Sequence, residues 1–473
     1  MGSTIIKSGT LITAAETFIS DILIEGERIS AIGCDLNKPV DKLIDATGKL
    51  VMPGGIDPHT HFDLPMFDTV SSDDHYSGHK AAAFGGTTTV MDFIPQEPGS
   101  LQNNVEAWHQ KADAKAAIDF SFHMNITTLD DNVVAEIPHL LDLGITTLKV
   151  FTAYNNRLRL KDDDIMKVMR VARENGMLTM LHAENGDVIE MLVSEALAAG
   201  NVSPVWHAKT RPAWGAVEAT MRAIALSAIA EAPLYIVHMN VAGEVDHLQY
   251  AREQGLRVMG ETCPAYLFFT EDHLCRPDGA KWICSPPMRS DKDNLRLKQG
   301  LHDGIIQTIG TDHCPFFFDG KQTILYENKE VKIPGKELGV DDFTKIPNGL
   351  PGVGDRLPIM WTYGVRAGYL TPNQFVALTS TNVAKIFGLY PRKGTLAPGA
   401  DADIVIWDPE RRLTYGVDYA HHRTDYNLFE GWELVGFPEK VFLRGRLIVD
   451  DDKWLGSVGM GSYLKRQPNA EII

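Results

Sequence analysis

The sequence predicts an α/β protein: a (β/α)₈ TIM-like barrel with a small β-sandwich domain built from both chain ends. Three observations carry this expectation. Eight short apolar runs recur through the middle of the chain, amphipathic segments lie between most of them, and polar residues gather at the C-terminal ends of the runs. Alternating buried strands and helices implies parallel βαβ units. Eight units are the number that closes a barrel, and a barrel brings all the C-terminal strand ends to one face. Periodicity alone also permits a doubly wound open sheet; the placement of the polar residues favours the barrel.

In chain order, the first fifty residues read as short strands with turns. "STIIKSGTLIT", "DILIEGERISAIG" and "DKLIDATGKLVM" are rich in Ile, Val, Leu and Thr and punctuated by Gly and Asp. The C-terminal stretches "GADADIVIWDP" and "EKVFLRGRLIVDDD" look the same. Residues 1–52 and 390–473 are therefore expected to pair into one β domain around a barrel at 53–389, because chain termini often lie close together. The eight runs of the barrel are "GGIDPHTH", "TTTVMDF", "IDFSFHMNI", "TTLKVFTAY", "LTMLHAEN", "LYIVHMN", "LRVMGETC" and "QTIGTDHC". Segments such as "DDIMKVMRVARENG" and "WGAVEATMRAIALSAIAEA" read as the intervening helices, and the acidic stretch from Lys161 to Asp164 as a helix start.

The bulk numbers narrow the function. With 473 residues, 44% hydrophobic and 23% charged, the chain has the composition of a globular enzyme. A net charge of −17 argues against non-specific nucleic-acid binding and against an anionic membrane surface. Five widely spaced cysteines without a CxxC point to a reducing compartment. No apolar run reaches the roughly 18 residues that a membrane helix needs. The N-terminus has no signal pattern, and "MGSTII" has Ile6 where myristoylation wants Ser or Thr. A soluble cytoplasmic protein is expected.

The residues at the strand ends suggest metal chemistry. His59 and His61, two apart on one strand, point to the same side and can reach one metal. HxH is weak alone, and its place on the first of eight strands strengthens it. His182 and His238 end the fifth and sixth runs. A single histidine there is commonly structural, but two on adjacent strands facing an HxH suit neutral imidazole ligands. Lys149 ends the fourth run, where a buried unpaired ammonium is costly. Its head could reach solvent or a carboxylate; alternatively a neutral amine can take up CO₂ to give a carbamate that bridges two cations. Asp312, ending the last run, is a metal ligand and general base or else a turn or N-cap aspartate. Asp92, His123 and Glu261 also lie at strand ends and are expected in supporting or structural roles, as are His313 and Cys314. Asp63 is expected on the surface or in a substrate loop. His75 and His79 are expected on a solvated helix face, since no HExxH is present.

With these residues in place the chain resembles the cyclic amidohydrolases, the D-hydantoinase (phenylhydantoinase) and dihydropyrimidinase family. The resemblance covers nearly the whole chain and rests on "GGIDPHTHF", "GGTTTVMDF", "LKVFTAY", "LHAEN", "IVHMN", "ICSPPMR", "GTDHCPF" and "IPNGLPG". It implies two divalent metal ions, usually zinc: one on His59, His61 and Asp312, a second on His182 and His238, both bridged by Lys149 as its carbamate. It implies that Tyr154 polarises the substrate carbonyl and that Ser285 and Asn348 hold the cyclic amide through main-chain groups. Leu64, Phe67, Phe151 and Leu158 match loops that face the ring substituent. The implied reaction is ring opening of 5-substituted hydantoins or dihydropyrimidines to N-carbamoyl amino acids, with Asp312 moving the proton. A homotetramer is implied, with the tail 450–473 in its contacts. Many members have "VHLS" or "VHVS" where this chain has "VHMN", so the loop at Asn240 departs from the pattern. Allantoinase and dihydroorotase use similar metal sites, but their substrates are more polar or carry a carboxylate, and no arginine stands out in the pocket loops to receive them. Non-catalytic collapsin-response-type relatives share the fold, typically lacking some ligands; here all six are present.

Overall fold

The computed structural model describes residues 2–66, 68–326 and 329–468. Eight strands form its central sheet in chain order: Gly55–Thr60, Thr87–Ile94, Asp119–Asn125, Thr147–Phe151, Leu178–His182, Leu234–Ile236, Val258–Thr262 and Thr308–Ile309. Each pairs in parallel with the next. They coincide with the eight apolar runs of the sequence. Every residue of these strands is buried, as expected of a parallel sheet covered by helices.

The helix Asp162–Glu174 shows why the intervening segments fold as they do. Three aspartates occupy its first turn and Arg173 its last, each opposite in sign to the local end of the helix dipole. Ile165, Val168, Met169 and Ala172 recur at helical spacing and form its buried face.

Strand eight has only two residues, so side chains complete the ring. Thr60 and His313 form one parallel bridge, and His61 N–H donates to the His313 carbonyl at 2.7 Å. Asp57 accepts from the Thr311 hydroxyl at 2.7 Å and from the Thr311 N–H at 3.2 Å. Fully buried Arg356 donates from one nitrogen to the carbonyls of Ile56 and Ile309, both at 2.8 Å. That guanidinium therefore ties strand one to strand eight, with the Asp57 carboxylate 3.9 Å from its Nε.

The two chain ends meet in one nine-stranded sheet. Leu50–Pro53 pairs antiparallel with Ile404–Thr414, joining strands Ser3–Ile12, Thr17–Glu25 and Arg28–Gly33 on one side to Glu433–Leu443 and Arg446–Asp450 on the other. Lys393, buried, lies within 3.0 Å of Asp119 on the third barrel strand and of Asp401 and Asp403 at the edge of this sheet. Beyond the sheet the chain returns to its own barrel: Phe120 N–H donates to Ser462 O, Leu464 N–H to Phe120 O, and buried Arg466 reaches Ser121 Oγ and Thr147 Oγ1. Residues 469–473 of the tail lie outside the described residues. Among the described residues no helix is long and apolar enough to cross a membrane.

Two expectations are corrected. His75 and His79 are fully buried, not solvated, with rings 5.4 and 5.1 Å from Phe62. Burial pulls both below the ordinary imidazole range, His79 to about 3, so they pack as neutral rings. The helix starts at Ser77 and turns its Ala81–Ala83 stretch inward, which carries His79 in with it. Asp63 is not a surface residue either. Its carboxylate, buried, accepts from Lys115 Nζ at 3.0 Å and its carbonyl from Lys111 Nζ at 2.9 Å, so it anchors the start of the loop whose next residues, Leu64–Met66, line the cavity at the barrel rim.

Arg356→Met should lower unfolding free energy by roughly 3–5 kcal/mol, the usual cost of stranding a buried partner charge. Denaturant titration of the purified chain measures it; a change under 1 kcal/mol would mean that the seam closes without the guanidinium.

Candidate metal centre

The six residues singled out in the sequence converge at the C-terminal rim of the barrel. All six line one cavity of about 400 Å³, a size suited to a small ligand. His59 and His61 come from the end of strand one, Lys149 from strand four, His182 from strand five, His238 from the turn after strand six and Asp312 from the turn after strand eight.

Asp312 Oδ1 lies 3.1 Å from His59 Nε2 and 3.1 Å from His61 Nε2. The ligand atoms of these three residues all fall within 4.8 Å of one another. Glu261, buried, sits 2.6 Å from His59 Nδ1 and accepts its N–H hydrogen bond. In neutral His59 the Nε2 then offers a lone pair to a carboxylate oxygen, acceptor against acceptor. One proton relieves one such contact; a cation could bind all three residues, and imidazole and carboxylate are its normal ligands. Burial disfavours the charged ring, but the Glu261 and Asp312 carboxylates outweigh it and raise His59 to about 9, so these anions call for positive charge at this point. The donor set fits a divalent cation.

A second pair faces the same space. His182 Nδ1 and His238 Nε2 are 3.0 Å apart, and the His59 and His238 rings stack at 5.4 Å. Glu184 Oε2 binds His182 Nε2 at 2.9 Å, which leaves Nδ1 with a lone pair. Lys149, 2% exposed, has no carboxylate within ion-pair distance among the described residues. Its Nζ lies 4.8 Å from the Phe93 ring and 5.2 Å from that of Phe151. Burial pulls its pKa down to about 8, so a neutral amine is accessible there.

Tyr154, Asp312 and His238 adopt left-handed backbone conformations, with φ of 64°, 52° and 39°. Such strain persists only where surrounding structure imposes it and commonly marks functional positions. Tyr154 packs with its ring 5.1 Å from that of His182. Ser285, whose side chain hydrogen-bonds Tyr154, accepts from Asn348 Nδ2 at 3.2 Å through its Oγ, and both residues line the cavity. Leu64, Phe151 and Leu158 form part of its wall, while Phe67 lies outside the described residues. The expectation that no arginine belongs to the pocket loops is corrected, because Arg157 also lines the cavity. Asn240, buried, donates from its backbone to Glu244 at 2.8 Å and from its side chain to the Pro287 carbonyl, so the departure at "VHMN" builds a hydrogen-bonded loop and leaves His238 in place.

Sequence reading missed Glu184 and gave Glu261 no specific role. Glu184 follows His182 by two residues, the spacing that flagged His59 and His61, and could have been found by it. Asp57 precedes His59 by the same interval. Glu261 also accepts the His238 N–H at 3.2 Å and the Tyr235 hydroxyl at 2.9 Å, and so links the two histidine pairs. Gly310 makes room for it: a Cβ there would meet the Glu261 carboxyl at 2.8 Å and His59 Cβ at 3.2 Å.

Comparison with known proteins agrees with this geometry. Residues 50–448 match the amidohydrolase family. The chain belongs to that family. It is 44% identical over 466 residues to the D-hydantoinase of Geobacillus stearothermophilus, covering 98% of this chain and 96% of the relative. The dihydropyrimidinase structure from Brevibacillus agri NCHU1002 superimposes with a TM-score of 0.95 at 46% identity, over 99% of this chain and 100% of that one. The L-hydantoinase (dihydropyrimidinase) structure from Arthrobacter aurescens gives a TM-score of 0.88 at 28% identity, over 98% and 100% of the two chains. This amidohydrolase is thus an enzyme of a metal-dependent family with a His–Asp cluster at the expected rim.

Glu261→Gln should leave the fold intact and weaken metal binding roughly 10–100-fold, the usual effect of removing a ligand's outer partner. Competition against a chromogenic chelator reads this directly, and an unchanged affinity would separate Glu261 from the centre.

Proposed function

We propose that this enzyme opens the ring of cyclic amides by hydrolysis, acting on 5-substituted hydantoins or dihydropyrimidines to give N-carbamoyl amino acids. The observation that carries this reading is the convergence of four histidines, Asp312 and a carboxylate-free buried Lys149 in one cavity that also holds Tyr154, Ser285 and Asn348. The names of the relatives, hydantoinase and dihydropyrimidinase, support it.

In this reading His59, His61 and Asp312 would hold one divalent cation and His182 and His238 another, with Lys149 between them. Zinc suits such imidazole and carboxylate donors. Bound there, two cations supply Lewis acidity, lowering the pKa of water and polarising a carbonyl. Lys149 supports them as its carbamate: the neutral amine adds CO₂ and releases a proton, giving an anion where an ammonium would repel both cations. Asp312 takes the proton of the attacking water and delivers it to the leaving ring nitrogen. Tyr154 donates a hydrogen bond to the carbonyl oxygen as negative charge develops on it. The main chain at Ser285 and Asn348 holds the ring, and Leu64, Phe151 and Leu158 receive its substituent. Arg157 at the same cavity favours a second reading, in which the substituent carries a carboxylate. A homotetramer belongs to this reading as well. Trp214 and Met221, 81% and 41% exposed and seven residues apart on the helix Ala213–Ala230, offer an apolar face for such contacts.

The deciding experiment compares kcat/KM for dihydrouracil, hydantoin, both hands of 5-phenylhydantoin, and dihydroorotate. Turnover of none of them would sink the proposal, and preference for dihydroorotate would select the second reading. Tyr154→Phe should lower kcat roughly 10²–10³-fold, as removal of one oxyanion donor does elsewhere. Lys149→Ala should lose metal together with activity; full turnover with two bound metals would exclude the bridging role.

A further inference from the structure

Lys336 is another buried lysine, and the proposed chemistry does not use it. It is 1% exposed, and among the described residues no carboxylate lies within ion-pair distance of its Nζ. Its recorded hydrogen-bond acceptors are two backbone carbonyls, Ile283 O at 3.0 Å and Pro347 O at 3.2 Å. Burial pulls its pKa down to about 7, and a methionine would fill the same space without burying an amine.

The two carbonyls explain its placement. Ile283 stands two residues before Ser285, and Pro347 immediately before Asn348. Ser285 and Asn348 both line the cavity, whereas Lys336 does not. Because the peptide unit is planar and trans, pinning the Pro347 carbonyl also fixes the direction of the Asn348 N–H, on the side away from the lysine. The turn that carries Lys336 is itself held. Lys336 N–H donates to Phe317 O at 2.8 Å, and the Glu337 carboxylate accepts from Gly320 N–H at 2.9 Å and from Gly335 N–H at 2.8 Å. Pro334 O, two residues back, accepts from Thr69 Oγ1 at 2.5 Å, on the hairpin that continues from the wall residue Leu64. Gly335 permits this packing, since a Cβ there would meet Phe317 O at 2.2 Å. One tight turn thus touches three separate segments that bound the cavity.

We propose that Lys336 is a positioning residue for substrate: its amino group ties the carbonyls of Ile283 and Pro347 and so holds the neighbouring Ser285 and Asn348 in place on the cavity wall. This rests on the reading in which those two residues hold the cyclic amide. Lys336 makes no recorded contact with the metal-binding residues, so its loss should act on substrate binding alone.

The test uses Lys336→Met, which keeps the shape and removes the donors, and Lys336→Gln, which keeps a neutral donor. For the best cyclic amide substrate, Lys336→Met should raise KM about tenfold or more, with kcat within about threefold of the parent. Metal content per chain should be unchanged, Lys336→Gln should fall between, and amide hydrogen exchange should accelerate in segments 283–288 and 346–350. A parental KM together with parental exchange in both segments would overturn the proposal, as would a fall in kcat with metal loss. If Lys336→Met does not fold, Lys336→Gln decides by the same readouts. If the parent enzyme opens no cyclic amide, the functional reading fails by itself, and the exchange measurement still decides whether Lys336 ties the two segments.

Discussion

The structure depends on the closure of the barrel between its first and last strands. The residues that could hold a metal straddle that seam: His59 and His61 stand on one side and Asp312 on the other. Their geometry is therefore only as good as the join. The join has little ladder to rely on, because strand eight has two residues. Asp57 and Arg356 take over. The carboxylate holds Thr311 one residue before Asp312 and accepts the His59 N–H at 3.1 Å, while the guanidinium holds the carbonyls of Ile56 and Ile309. A charged pair below the cavity floor thus sets the distance between ligands above it.

The same device recurs around the cavity. Arg356 and Lys336 are buried basic side chains whose hydrogen bonds run largely to backbone carbonyls, and each ties strands or loops that no regular ladder connects. Lys393 differs, since it gathers three aspartates and joins the barrel to the terminal sheet. Buried charge is expensive in proportion to how poorly it is paired. These residues accordingly stand where a carbonyl, or a cluster of carboxylates, must be held at a fixed place, and apolar packing cannot supply a directional contact. Glu261 completes the pattern with the opposite charge, holding a ring nitrogen of His59 and the backbone N–H of His238 at once.

Much of this was legible in the sequence, for a physical reason. Strands of a parallel barrel are buried on both faces, so they appear as uninterrupted apolar runs, and a polar residue ending such a run must face the rim. That logic placed His59, His61, Lys149, His182, His238 and Asp312 before any coordinates. It failed where burial does not follow from local pattern. His75 and His79 are polar by type but pack as neutral rings, and Asp63 sits beyond a strand end yet is covered by Lys111 and Lys115, some fifty residues further along the chain. Lys336 and Arg157 lie in loops, where no period indicates direction, and their neighbours come from distant parts of the chain. Phe67 belongs to the same class, and its position lies outside the described residues.

The division between strand and loop also divides chemistry from selectivity. Attack on an amide needs charge and proton transfer at fixed positions, which the strand ends and their buried partners provide. Recognition of the ring and its substituent needs surfaces that can differ in size and polarity, which the loops and the last residue of strand four can provide: Leu64, Phe151 and Leu158 are apolar and Arg157 is cationic, all at one cavity. The two sets meet at Ser285 and Asn348, where main-chain groups must sit correctly for the amide while belonging to loops free to vary. A mobile junction there would cost orientation, and orientation is worth several kcal/mol of barrier. A buried amine on the carbonyl side of those loops meets this need without entering the cavity. The floor can then stay constant for amide hydrolysis while the rim changes to suit another substituent.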